Sequence, residues 1–314
     1  VVQSRRFRFG VIAKAARSAD DFTAFAKRVE DLGYATLFIP DHFVDHALAP
    51  IPAAMAAAAV TSTLRVGTLV LGNDYRHPAV LANEAATIDL LSGGRLELGI
   101  GAGWMTADYD QAGFHLDPPS TRIARLDESL TIMKGLMADG PFTFKGDHYS
   151  ITDLDGEPKP VQRPHPPFIV GGGGPKILAL AARHAQIVGI NANLKSGVGE
   201  HPDSVHSLTA AATDEKLERL RSAAGPRFDD LEIQTLTGLV HVTDDRASIA
   251  AAIASAFGVD ADIALETPAV LVGTRGEIVD EVQRRRDRWQ MSYVVVDENF
   301  TDAFAPVVAL LAGQ

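Results

Sequence analysis

The chain of 314 residues contains no cysteine. That absence excludes a disulfide framework, a thiolate nucleophile and a thiolate metal site. Long hydrophobic runs are missing too. The longest, Ala47 to Val60, is alanine-rich, interrupted by Pro50 and Pro52, and too short to span a bilayer. Val1 to Asp20 carries basic residues but no apolar stretch fit for a signal peptide. A cytoplasmic protein without a membrane partner is expected. Positive charge is scarce: 29 Lys and Arg stand against 40 Asp and Glu, a formal net charge of −11. This argues against broad nucleic-acid binding, which needs a basic surface. An anionic small ligand stays open, because it needs only local cations or backbone N–H donors. The ten His show no metal-site spacing. There is no internal repeat and no low-complexity segment.

What is present is a composition 46% hydrophobic and 22% charged, ordinary for a globular chain with a large core. Short apolar runs alternate with longer periodic ones. The strand candidates are Phe7–Ala13, Ala35–Ile39, Arg65–Leu71, Arg95–Ile100, Pro167–Val170, Ile187–Ile190, Leu231–Val242 and Tyr293–Val296. Helical periodicity marks Asp21–Leu32, Pro52–Val60, Pro78–Leu91, Thr121–Ala138, Pro175–Ala185, Asp245–Phe257, Gly276–Trp289 and Thr301–Leu311. Phe142–Ile151 reads as a hairpin turning near Gly146-Asp147, and about 195–230 as an insertion. Sustained βα alternation implies parallel strands joined by crossovers. Strands so short and apolar are buried on both faces. The reading is one α/β domain over residues 1–314, a (β/α)8 TIM barrel with an insertion. The competing architecture is an open doubly wound sheet, and eight strands favour the barrel.

In such a barrel the working residues follow the strands. That rule selects Asp41-His42-Phe43, then Gly72-Asn73-Asp74-Tyr75-Arg76-His77, then Gly101-Ala102-Gly103-Trp104, then Gly171-Gly172-Gly173-Gly174-Pro175-Lys176, then Asn191-Ala192-Asn193. The run Gly171 to Lys176 has the features of a phosphate cradle: close backbone approach, a helix N-terminus and a cation. The same glycines also suit a tight strand-to-helix turn. Their spacing is neither a Walker loop nor a Rossmann fingerprint. Asp41-His42 is the candidate for proton chemistry, since His titrates near neutral pH. The plainer alternative is a structural cap and a packed His. Gly72-Asn73 suggests a bulge or a simple turn. Trp104 either walls a pocket or packs under a loop. His46, His77 and His115 read as structural or peripheral.

Several of these segments together resemble the bacterial luciferase-like superfamily. They are Ile39-Pro40-Asp41-His42-Phe43, Leu64 to Gly67, Leu91 to Trp104, Arg125 to Leu130, Val170 to Lys176, Leu271 to Thr274 and Tyr293 to Val296. The resemblance implies a (β/α)8 barrel, usually a homodimer, that binds FMN or the deazaflavin coenzyme F420. It implies the cofactor phosphate at Gly171, Gly172, Gly173, Gly174 and Lys176. It implies a bulge beside the flavin ring, often a non-prolyl cis peptide, matching Gly72-Asn73. Asp41-His42-Phe43 is similar to the F420-dependent branch, including its glucose-6-phosphate dehydrogenase, where the His sits by the reactive carbon. Carried over, His42 is the catalytic acid/base, with Asp41, Gly72, Asn73 and Trp104 at the cofactor. This chain departs from that dehydrogenase at Trp104, where the relative is acidic, and at His46, where it has Trp. Thr106 replaces a Glu frequent in the family. The function implied is F420-dependent hydride transfer to or from a small organic substrate. The alternatives are an FMN-dependent monooxygenase and a flavin-binding protein without turnover. Lys14, Arg17 and Lys176 are candidate cations for the anionic F420 tail; Lys14 and Arg17 read equally as surface charges.

Overall fold

Strand β1 (Arg8–Ile12) begins the sheet in a computed structural model that describes residues 5–44, 48–199 and 201–314. Seven strands follow: β2 (Thr36–Ile39), β3 (Arg65–Thr68), β4 (Leu96–Gly101), β5 (Phe168–Gly172), β6 (Ile187–Ile190), β7 (Glu232–Thr237) and β8 (Met291–Asp297). All neighbours are parallel. β1 lies between β2 and β8, and a β3–β4 pairing closes the ring. The eight-stranded barrel is therefore complete and has no open edge.

Alternation along the strands builds two environments. Outward residues such as Phe9, Val11, Leu37, Leu98 and Val294 join the large core under the helices. Inward residues stack in layers. At the N-terminal end, Arg8 pairs with Glu97 and with Glu232 (2.9 Å), while Arg65 reaches Glu97 at 2.8 Å. Tyr293 donates to Glu97 (2.8 Å) from the same layer. Above it Ile12, Phe38, Ile169, Ile187, Tyr293 and Val295 form an apolar plug. Each such side chain contributes roughly 1.5–3 kcal/mol on burial. Gly67 makes room for the plug, because a Cβ there would come 2.8 Å from the Phe38 ring. The floor is thus filled, and a ligand can enter only from the C-terminal mouth.

The helices start and stop where their termini are satisfied. Ser18 Oγ accepts from Asp21 N to begin Ala19–Asp31, and Gly33 follows its end at φ +82°. Thr274 and Glu277 form a reciprocal capping box for Arg275–Trp289. Helix Pro50–Val60 begins two residues earlier than its periodicity suggests, with its prolines in the first turn where no N–H partner is needed.

Four segments differ from the reading of the sequence. The strand expected over Arg65–Leu71 breaks after Thr68 at a cis Leu69–Val70 peptide, and Leu71–Gly72 resumes pairing with β4. The cis bond expected at Gly72-Asn73 thus lies at Leu69-Val70. The run Leu231–Val242 is two strands. β7 stops at Thr237, and Leu239–Val242 leaves the barrel to pair with Val270–Gly273. Helices Arg246–Phe257 and Ala261–Glu266 complete that outlying unit around a small core of its own. The supposed insertion 195–230 contains helix Ala210–Ala224, which packs on helix Pro175–His184 and is the crossover from β6 to β7. The hairpin is present, as Phe142–Lys145 against Ser150–Leu154. His46 lies outside the described residues.

Candidate active site

The loops after β2 and β4 meet through one carboxylate. Asp108 lies in the short helix Thr106–Ala112 and is fully buried. Its Oδ2 is 2.5 Å from His42 Nδ1, and its Oδ1 accepts from the backbone N–H of Phe43 (2.8 Å) and Val44 (3.1 Å). An ionised carboxylate only accepts, so the Nδ1 proton points to Asp108. In that tautomer Nε2 carries the ring's lone pair. The Trp104 ring stands edge-on to the imidazole at 5.5 Å and 78°. Trp104 thus flanks His42 at the end of the loop after β4.

Asp41 is buried beside His42 but faces the other way. Its Oδ2 accepts from Gly72 N (3.0 Å) and from Arg76 Nη1 (2.5 Å). It therefore fastens the segment after the cis peptide to the β2 loop. Asn73 is buried, with Nδ2 3.5 Å from the Tyr149 hydroxyl. Asp74 takes Arg125 (2.7 Å) and the Tyr109 hydroxyl (2.9 Å). Burial first, then Asp74, pushes the Tyr109 phenol far up, so it stays a donor. Arg122 closes the ring of contacts by donating to the carbonyls of Ala102 and Gly103.

The glycine loop after β5 has two parts with different reasons. A Cβ on Gly171 would lie 2.7 Å from Asn191 Nδ2, and one on Gly173 2.6 Å from the Ala192 backbone. One on Gly172 would strike Ile177 at 2.4 Å. These three are glycine because the turn and the end of β6 press against them. Gly174 is different: nothing lies within 4 Å of its Cβ position, and it precedes helix Pro175–His184 without any side-chain cap. Open space in front of uncapped helical N–H groups fits a phosphate. Lys176 is exposed on the first turn of that helix. The tight turn accounts for Gly171, Gly172 and Gly173, and the open, uncapped end at Gly174 is where a phosphate would fit.

The remaining candidates are placed plainly. Lys14 Nζ is bound to Asp297 at 2.5 Å, so its charge is already matched and an anionic tail has little claim on it. Arg17 is exposed and pairs with Asp21. His77 accepts from Ala79 N as a helix cap, and His115 sits 3.3 Å from Asp117 at the surface. Reading the sequence selected the stretches holding Arg76 and Arg125 without giving either residue a role, and it missed Asp108. A signal for Asp108 existed: it lies four residues past Trp104, one helical turn beyond a strand-end glycine loop.

A family model for luciferase-like monooxygenases matches residues 6–307. The FMNH(2)-dependent dimethylsulfone monooxygenase of Pseudomonas putida is 31% identical over 156 residues, 50% of this chain and 43% of that protein. The F420-dependent glucose-6-phosphate dehydrogenase of Microbacterium testaceum (strain StLB037) is 29% identical over 233 residues, 72% of this chain and 66% of that one. The coenzyme F420 dependent tetrahydromethanopterin reductase from Methanopyrus kandleri superposes with a TM-score of 0.75 at 18% identity, over 98% of this chain and 99% of that one. The chain spans about half the length of the first curated relatives it matches.

Proposed function

The chain belongs to the luciferase-like monooxygenase family, and from that premise we propose that it is an oxidoreductase moving a hydride between coenzyme F420 and a small organic substrate. The observation that carries this reading is the His42–Asp108 pair under Trp104 at the barrel mouth. The deazaflavin, when bound, supplies a carbon that carries hydride and reacts poorly with oxygen. The chain's own residues do the rest. The Gly174 end of helix Pro175–His184 binds the cofactor phosphate. The segment from Leu69-Val70 to Asn73, fixed by Asp41, supports the ring. Trp104 excludes water from one side. His42 Nε2 takes the proton from a substrate hydroxyl on oxidation, or returns it on reduction, while Asp108 holds the imidazole.

A homodimer is part of the proposal. Helix Pro50–Val60 has no charged residue yet exposes Pro52, Ala56 and Ala59 along one face. Among the described residues no helix is long and apolar enough to cross a membrane.

A second reading, an FMN-dependent monooxygenase, is favoured by the FMNH(2)-dependent relative. Titration of the purified protein with coenzyme F420 and separately with FMN, followed by tryptophan fluorescence, separates the two. Micromolar binding of F420 with much weaker FMN is the expected result. FMN preference would move the assignment to the monooxygenase, and binding without turnover across a substrate screen to a carrier.

A further inference from the structure

Helix Ala210–Ala224 buries a lysine that no part of the proposed chemistry uses. Lys216 is 5% exposed, and its ammonium donates to two main-chain carbonyls, Asn191 O at 2.7 Å and Ser207 O. These carbonyls stand at the two ends of one excursion. Asn191 follows β6 directly, and Ser207 ends the short helix Pro202–His206. Between them Ser207 Oγ accepts from Asn193 N (2.7 Å), and Ser204 Oγ reaches the carbonyls of Asn193 (3.2 Å) and Val198 (3.3 Å). The middle of the excursion touches the site. Thr106 N donates to Gly197 O at 3.3 Å, and a Cβ on Gly199 would lie 3.6 Å from the tip of the Trp104 indole. Asn193–Gly199 is therefore a strap laid over Trp104.

We propose that Lys216 is a positioning residue that closes this strap at its base and so holds Trp104 against His42. The inference rests on Trp104 being a wall of the proposed cofactor site. Among the described residues, a strap without Lys216 would have its ends tied only through the hydroxyls of Ser204 and Ser207. A buried cation bonded to both carbonyls ties them directly, and charge-assisted bonds are the stronger kind. Among the described residues no carboxylate is bonded to the ammonium. On the elements packed around it, Arg183 and His184 pair with Asp127, and Arg227 donates to the Ala182 and Ala185 carbonyls. On its own helix Asp214 takes Arg288, and Glu215 takes Arg219. Later in the same excursion Asp203 lies 3.7 Å from His201, and His206 has an interaction of its own.

The chain has two tryptophans, which gives a direct readout. Trp289 is buried with its N–H on Asp214, whereas Trp104 is half-exposed under the strap. Acrylamide quenching of the cofactor-free protein therefore reports chiefly on Trp104, and Trp104→Phe identifies its share. Lys216→Met should raise the Trp104 quenching constant severalfold at an unchanged Trp289 contribution. Losing a charge-assisted hydrogen bond shifts an open/closed ratio by on the order of tenfold. Lys216→Arg, which keeps the charge and donors, should restore protection. If the Met variant does not fold, Lys216→Gln replaces it. A folded variant of either kind with unchanged Trp104 quenching would overturn the proposal. No cofactor enters the measurement, so its failure is separate from any failure of the F420 reading.

Discussion

In the proposed reaction His42 would act through Nε2 while Asp108 holds Nδ1. A lone imidazole exchanges tautomers, and half the time it would present the wrong atom. Asp108 removes that freedom and also fixes the backbone at Phe43 and Val44. Asp108→Asn keeps the shape but loses the charge, so kcat in the F420-linked reaction should fall about 10²-fold, within the range general acid–base groups contribute. His42→Ala should fall at least as far, and neither should change the F420 dissociation constant by more than about the factor of ten that 1.4 kcal/mol represents. Steady-state kinetics beside a binding titration decide it. Full turnover in His42→Ala would end the proton-transfer role. At this scale the sequence showed His42 and Trp104, because both sit next to strand ends. It hid Asp108, because the pairing depends on a short helix of seven residues whose existence no periodicity announces.

Elements were legible where burial on both faces made the run uniformly apolar, as in β2 and β6. They were misread where an apolar run continued through a change of partner. Gly238 separates β7 from Leu239–Val242, and both halves are apolar enough to pass for one strand. The stretch about 195–230 reads as partly helical, but the bounds of helix Ala210–Ala224 are hidden because its polar face dominates: Asp214, Glu215, Glu218, Arg219 and Arg221 mask the buried row of Thr213, Leu217 and Leu220. Helix Pro50–Val60 presents the opposite problem. A helix apolar all round belongs in an interior, yet one face is exposed, and the neighbouring helix Pro78–Leu91 exposes Val80 and Leu91. A second copy of the chain is the simplest cover. Light scattering should return twice 33.4 kDa for the native protein and a monomer for Ala56→Glu with its fold intact. A native monomer would remove the dimer from the proposal.

The whole molecule separates its duties along the barrel axis. The N-terminal end is closed by Arg8, Arg65, Glu97, Glu232 and Tyr293, a layer whose charges are matched and whose loss would leave buried ions unpaired. The C-terminal end carries the loops, the glycine cradle and the strap. Lys216 links that end to the stability of the fold as a whole. Burial pushes its ammonium down to about 8 from a usual value of 10.5. Between those two values the unfolded chain holds the proton and the folded chain does not. The unfolded state then binds more protons, so stability rises with pH across this window, and below about 8 the residue adds no slope. The full rise corresponds to roughly 3 kcal/mol, at 1.36 kcal/mol for each pH unit. Urea unfolding from pH 7 to 10.5, taken as native minus Lys216→Met, isolates this contribution from the other titrating groups. A difference that climbs above pH 8 agrees with a buried ammonium whose two carbonyl partners do not offset its loss of water. A flat difference would mean that the two carbonyls hold the proton as well as water does, and the strap would then be clasped by a full cation throughout the alkaline range.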